Sequence, residues 1–208
     1  MVLDQRRIHW LNFVVHVGAW VPMLWGIYQA ATGNLSFDPI REATLRTGRT
    51  ALVLLLLSLA CTPLQILTRQ TQVGRLRKPL GLYAFAYACL HLAIYLGLDY
   101  GLNLRLLANE LAQKTFIQVG LLAFLILAAL AVTSTRGWIA RLKKAWKRLH
   151  RAVYLAAALA VLHDLLVAKG DKSVPILYGL VLALLLLVRI PGIRAKLDAL
   201  AARREKQA

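Results

Sequence analysis

The chain has 208 residues, 59% of them hydrophobic, a mean hydropathy of +0.60 and a net charge of +17. These values exclude an ordinary soluble domain and point to an integral membrane protein. So much charge would suit nucleic acid, but the Lys and Arg residues fall in short clusters between apolar runs. That placement is the mark of membrane topology and argues against a nucleic-acid partner.

Uncharged stretches predict an all-α, six-helix transmembrane bundle forming one domain over residues 1–208. The spans cover about residues 10–31, 47–67, 79–98, 115–135, 149–168 and 173–190. Arg6 and Arg7 precede the first apolar run, as in a signal peptide, but that run stays uncharged from Ile8 to Phe37 and no small-residue cleavage site follows. It reads as a retained span. The connection ATGNLSFDPIREATLRTGR, residues 31–49, is rich in turn formers, and Asp38-Pro39 favours turn initiation. Arg49, at the mouth of the second span, could pair bidentately with a buried carboxylate such as a cofactor propionate, or snorkel to lipid phosphate. Cys61 and Cys89 lie inside apolar runs, so they form no disulfide framework, and the absence of C-x-x-C-H argues against covalently attached haem. No internal repeat stands out. The basic tail, residues 191–208, predicts a short helix on the inner surface, drawn to anionic membrane lipid.

Basic residues set the expected orientation. The N-terminus, second connection, fourth connection and tail together hold eighteen Lys and Arg, whereas the alternate connections hold six. By the positive-inside rule both termini are cytoplasmic.

Orientation then gives the histidines a depth. His91 lies eight residues before Asp99, roughly 12 Å below the outer end of the third span, and His163 lies six residues before Lys169, roughly 9 Å below the same face. Imidazoles at matching depth on two helices of a bundle can take the axial positions of a haem between them. His150 sits thirteen residues before His163, near the inner face, level with Arg77. At ideal pitch His150 and His163 point roughly 140° apart, so either the fifth span is tilted or distorted near its inner end, or His150 lies in an approach segment. His16, in the inner half of the first span, could complete an inner site, hydrogen-bond a propionate, or pack between Trp10 and Trp20. His9 reads as interfacial and structural.

Three segments carry a resemblance: TGRTALVLLLLSLACTPLQ (47–65), RLRKPLGLYAFAYACLHLAIY (75–95) and WKRLHRAVYLAAALAVLH (146–163). In order and spacing they resemble the MsrQ family, formerly YedZ, within the ferric-reductase-like transmembrane domain superfamily, and the resemblance covers nearly the whole chain. It implies haem b, one or two per chain, in a bacterial inner membrane. It also implies electron passage from a cytoplasmic flavin reductase or quinol to a periplasmic molybdopterin reductase, MsrP, that reduces methionine sulfoxide. His91, His150 and His163 stand where the family places haem ligands. Arg77 stands where the superfamily's inner histidine is expected, which leaves the second ligand of an inner haem open. FMN is carried by the resemblance alone, since no phosphate-cradling glycine loop is visible. The competing reading from the residues is a proton or ion transporter with His16, His91, His163 and Asp164 as a relay. No inverted repeat or matching pair of broken helices supports it.

Overall fold

The computed structural model describes residues 5–34, 36–197 and 199, with side chains from Trp10 onward. No strand occurs among the described residues. The helices are α1 (Gln5–Ala31), α2 (Pro39–Thr68), α3 (Arg77–Ile94), α4 (Leu104–Gln113), α5 (Thr115–Val132), α6 (Arg136–Leu142), α7 (Lys144–Leu149), α8 (Val153–Val167), α9 (Ser173–Leu187) and α10 (Pro191–Leu197). Among the described residues, five helical stretches are long and apolar enough to cross a membrane. A sixth exists if α9 and α10, bent by 80° at their junction, form one broken span. α9 alone, at 15 residues, rises only about 22 Å against a hydrocarbon thickness of about 30 Å.

The second span begins at Pro39, eight residues earlier than the sequence suggests. Its start signals lie within the stretch read as a connection. The Asp38 carboxylate accepts from the Arg41 N–H at 3.1 Å, Pro39 occupies the first turn where its missing N–H costs nothing, and Glu42 both complements the helix dipole and pairs with Arg46. The connection after α3 also holds structure that was not expected. A π-helical turn, Tyr95–Asp99, ends that span, and the amphipathic α4 follows. Outside the spans, the Glu110 carboxyl is held below its usual range by its bond to Lys114 and by the Tyr100 hydroxyl. Of the tail, α10 is helical; residues 198 and 200–208 lie outside the described residues, as do Met1–Asp4 and the His9 side chain.

α2 is the central helix. Leu52, Leu55 and Leu59 are almost fully buried and pack with Leu80, Ala84 and Tyr87 of α3, Leu127 of α5, Ala156 and Ala157 of α8, and Leu182 and Leu185 of α9. Ala84 and Ala156 are wholly inaccessible, as expected where small residues let helix backbones approach. The bundle is built from two antiparallel hairpins, α2 with α3 and α5 with α8, joined in part by Phe85 stacked on Phe124 at 5.7 Å. α1 lies against α3 through two bonds: Tyr87 donates to the Ala19 carbonyl at 2.6 Å, and His16 meets the Tyr83 hydroxyl at 2.8 Å.

Pro63 lies inside α2 and has no N–H to return to the Leu59 carbonyl. The Arg189 guanidinium, arriving just after α9, donates to that carbonyl at 2.7 Å, to the Leu185 carbonyl at 2.6 Å and to the Thr62 hydroxyl at 3.2 Å. It also lies over the Tyr154 ring at 5.0 Å. A backbone group exposed by proline in an apolar setting is thereby satisfied from another helix.

Candidate functional site

His91, near the end of α3, and His163, near the end of α8, face each other with ring centroids 6.1 Å apart and planes at 83°. Each is anchored in the same way. The His91 Nδ1 lies 2.8 Å from the Thr44 carbonyl oxygen and the His163 Nδ1 lies 2.7 Å from the Phe116 carbonyl oxygen. A carbonyl only accepts, so each Nδ1 carries a proton, and the nitrogen available to a metal on each ring is Nε2. Anchoring one ring nitrogen fixes the tautomer and orientation that a metal-binding imidazole needs.

The rings reach their carbonyls because the facing helices carry glycine. A Cβ on Gly48 would stand 2.9 Å from the His91 Nδ1, and one on Gly120 would stand 2.7 Å from the His163 Nδ1. Any larger residue would push the ring off its acceptor. Thr44, Gly48 and His91 map onto Phe116, Gly120 and His163 by one shift of 72 positions. The same shift superposes Ala84, Ala86, Ala88 and Leu90 on Ala156, Ala158, Ala160 and Leu162. The two hairpins are thus a parallel internal repeat, contrary to the expectation of none, and the histidine pair is its product. Sequence reading found the histidines but missed the two glycines and two carbonyls; sliding the sequence on itself by 72 positions is the signal that reveals them.

Two imidazoles bound through Nε2 on opposite sides of one metal, at about 2 Å each, hold their centroids roughly 6 Å apart. The observed separation fits. Among the described residues no three His, Cys, Asp or Glu side chains gather as an ion site. A metal between His91 and His163 would therefore draw its remaining ligands from a non-protein group, and a macrocycle satisfies that need.

The other end of the bundle is arranged differently. His150 begins a 3-10 turn, His150–Ala152, between α7 and α8, so the helix is irregular at the inner end of this span, in line with the first of the two alternatives, a span tilted or distorted there. Its ring stacks on Trp146 at 4.0 Å, and its Nε2 lies 3.1 Å from the Thr133 hydroxyl. Under the 72-residue shift its counterpart is Lys78. Arg77 instead reaches across to α2, where it donates to the Thr62 hydroxyl at 2.5 Å. No described contact joins Arg77 to His150. His16 faces Tyr83 with ring centroids 5.5 Å apart, while Trp10 and Trp20 remain exposed, so it is not packed between them. Arg49 has its Nε 3.9 Å from a carboxylate oxygen of Asp164, the residue after His163. The two charges are close but not hydrogen-bonded.

Comparison with known proteins bears on this arrangement. The family described as Ferric reductase like transmembrane component matches residues 47–161, a stretch that includes Gly48, His91, Gly120 and His150 and ends two positions before His163. The protein-methionine-sulfoxide reductase heme-binding subunit MsrQ of Rhodospirillum rubrum is 42% identical over 195 residues, covering 93% of each chain. The chain belongs to the MsrQ family. The MsrQ subunit of Xanthomonas axonopodis pv. citri is 45% identical over 83% of this chain and 82% of its own, and that of Cronobacter sakazakii is 40% identical over 93% and 98%. Membership agrees with a multi-pass helical membrane protein, and the name carried by these MsrQ relatives describes a subunit that binds haem.

Proposed function

We propose that this chain is a haem b electron-transfer subunit of the bacterial inner membrane. It takes electrons from a cytoplasmic-side donor, a flavin reductase or quinol, and delivers them to a periplasmic molybdopterin methionine sulfoxide reductase of the MsrP type. The observation that carries the reading is the His91–His163 pair, with both Nδ1 atoms committed to carbonyls, both Nε2 atoms left as donors to a metal, and a spacing suited to one iron between them. The haem iron, when bound, supplies a one-electron couple. His91 and His163 would hold it through Nε2, the Thr44 and Phe116 carbonyls fix the ring orientations, and the surrounding apolar helices would limit access of water. The distribution of Lys and Arg supports an orientation with this pair toward the periplasm and both termini in the cytoplasm. The basic cytoplasmic face suits an acidic donor protein or the phosphate of FMN. His150 is the remaining family-position histidine and would serve a second, inner haem, with Arg77 at the position where the superfamily's inner histidine is expected.

The test is the visible spectrum of the purified full-length protein, oxidised and dithionite-reduced. A reduced b-type spectrum is expected in the wild type, and His91→Ala and His163→Ala should each remove the signal of this site and abolish methionine sulfoxide reduction by the coupled reductase. Full haem content and activity in both variants would overturn the assignment.

A further inference from the structure

A groove of about 740 Å³ runs along a different face of α2 from the one that meets His91. Its walls are Val53, Leu54 and Leu57 of α2 and Val14, Gly18 and Pro22 of α1, so it is apolar for most of its length. From Glu42 to Leu57 it follows α2 for fifteen residues, roughly 22 Å, more than one leaflet's hydrocarbon depth of about 15 Å. At the end nearer the histidine pair it is lined by Glu42, Arg46 and Arg49. Glu42 pairs with one terminal nitrogen of Arg46; the other, Nη1, is buried with no acceptor, and so is the Nε of Arg49. Asp164, at 3.9 Å from Arg49, is beyond hydrogen-bonding distance. The mouth therefore holds two guanidiniums whose charges are faced by Glu42 and Asp164 but which keep two buried N–H donors, Arg46 Nη1 and Arg49 Nε, without an acceptor.

We infer that the groove binds one anionic phospholipid, its phosphate at Arg46 and Arg49 and one acyl chain between α1 and α2. A phosphate offers several anionic acceptor oxygens to the two unpaired guanidinium donors, whereas a quinone carbonyl offers one neutral acceptor. The position of α1 fits this occupant. It hydrogen-bonds to α3 through Ala19 and His16 and also touches α2, and the groove opens beside that contact, so an acyl chain lying in it would extend the apolar packing between α1 and α2. Gly18 has open space around its Cβ position and sets the depth of the groove.

The experiment is native mass spectrometry of the haem-loaded full chain, released in mild detergent from membranes containing phosphatidylglycerol and phosphatidylethanolamine, with extracted lipids and quinones identified. The wild type should retain one phosphatidylglycerol. Arg46→Gln, which removes charge at the mouth, and Gly18→Leu, which fills the groove, should each lower retention at least tenfold, while circular dichroism and the haem spectrum show that both variants are folded. Arg46→Lys should retain more lipid than Arg46→Gln. Retention of a quinone in place of phospholipid, no retained lipid in the wild type, or wild-type retention in folded Arg46→Gln and Gly18→Leu would overturn the inference.

Discussion

The two ends of the bundle use the same residue types in opposite ways. At the His91–His163 end, a repeated hairpin presents two imidazoles that are mirrored in their anchors, their glycine neighbours and their free Nε2 atoms. At the other end the repeat has diverged: His150 answers to Lys78, its Nε2 is within hydrogen-bonding distance of Thr133, and Arg77 bonds to Thr62. The contrast shows how a paired site is made. Matching histidines are not sufficient, because each also needs a facing glycine and a carbonyl in register, and only one end supplies both twice.

That comparison can be broken most directly at the glycines. Gly120→Ala and Gly48→Ala should each displace a ring from its carbonyl and lower haem retention by roughly tenfold or more, the usual range for disturbing the partner of a metal-binding histidine. Gly120 should be the more severe, since two atoms of the His163 ring lie within 2.8 Å of the added Cβ. Haem titration of the purified variants measures this, and unchanged affinity in both would show that the close approach does not position the rings. A smaller effect is expected from His150→Ala. The spectrum of the His91–His163 site should persist, and only signal belonging to a second haem should disappear; loss of all haem would show that the two ends are not independent. The smallest effect should come from Arg189→Met, which leaves the Leu59 carbonyl without its donor. Thermal unfolding in detergent should report a loss of about 1–3 kcal/mol, the usual cost of an unsatisfied buried acceptor, with the haem spectrum unchanged.

Much of the paired site was legible because a bilayer turns sequence position into depth. With Asp99 and Lys169 taken as one boundary, counting back from them puts His91 and His163 at one level before any packing is known. The anchors were not legible in the same way. Thr44 and Phe116 contribute backbone carbonyls, which leave no trace in side-chain chemistry, and Gly48 and Gly120 are two among thirteen glycines. The repeat that singles them out is hidden by composition, since coincidences of Ala and Leu are common in any pair of apolar helices. The early start of α2 was missed for a different reason. Asp38, Pro39 and Glu42 are helix-start signals, but Asp-Pro is also a turn signal, and only the Asp38 side chain bonded to the Arg41 N–H separates the two readings.

Pro63 and Arg189 also tie the two ends of the chain together in time. When α2 leaves the ribosome, its Leu59 carbonyl has no donor, and the residue that supplies one lies 130 positions later. A chain stopped at Leu187 would contain every residue of α2 and still lack a partner for that carbonyl. The second span is therefore completed only when the residue following α9 has been made.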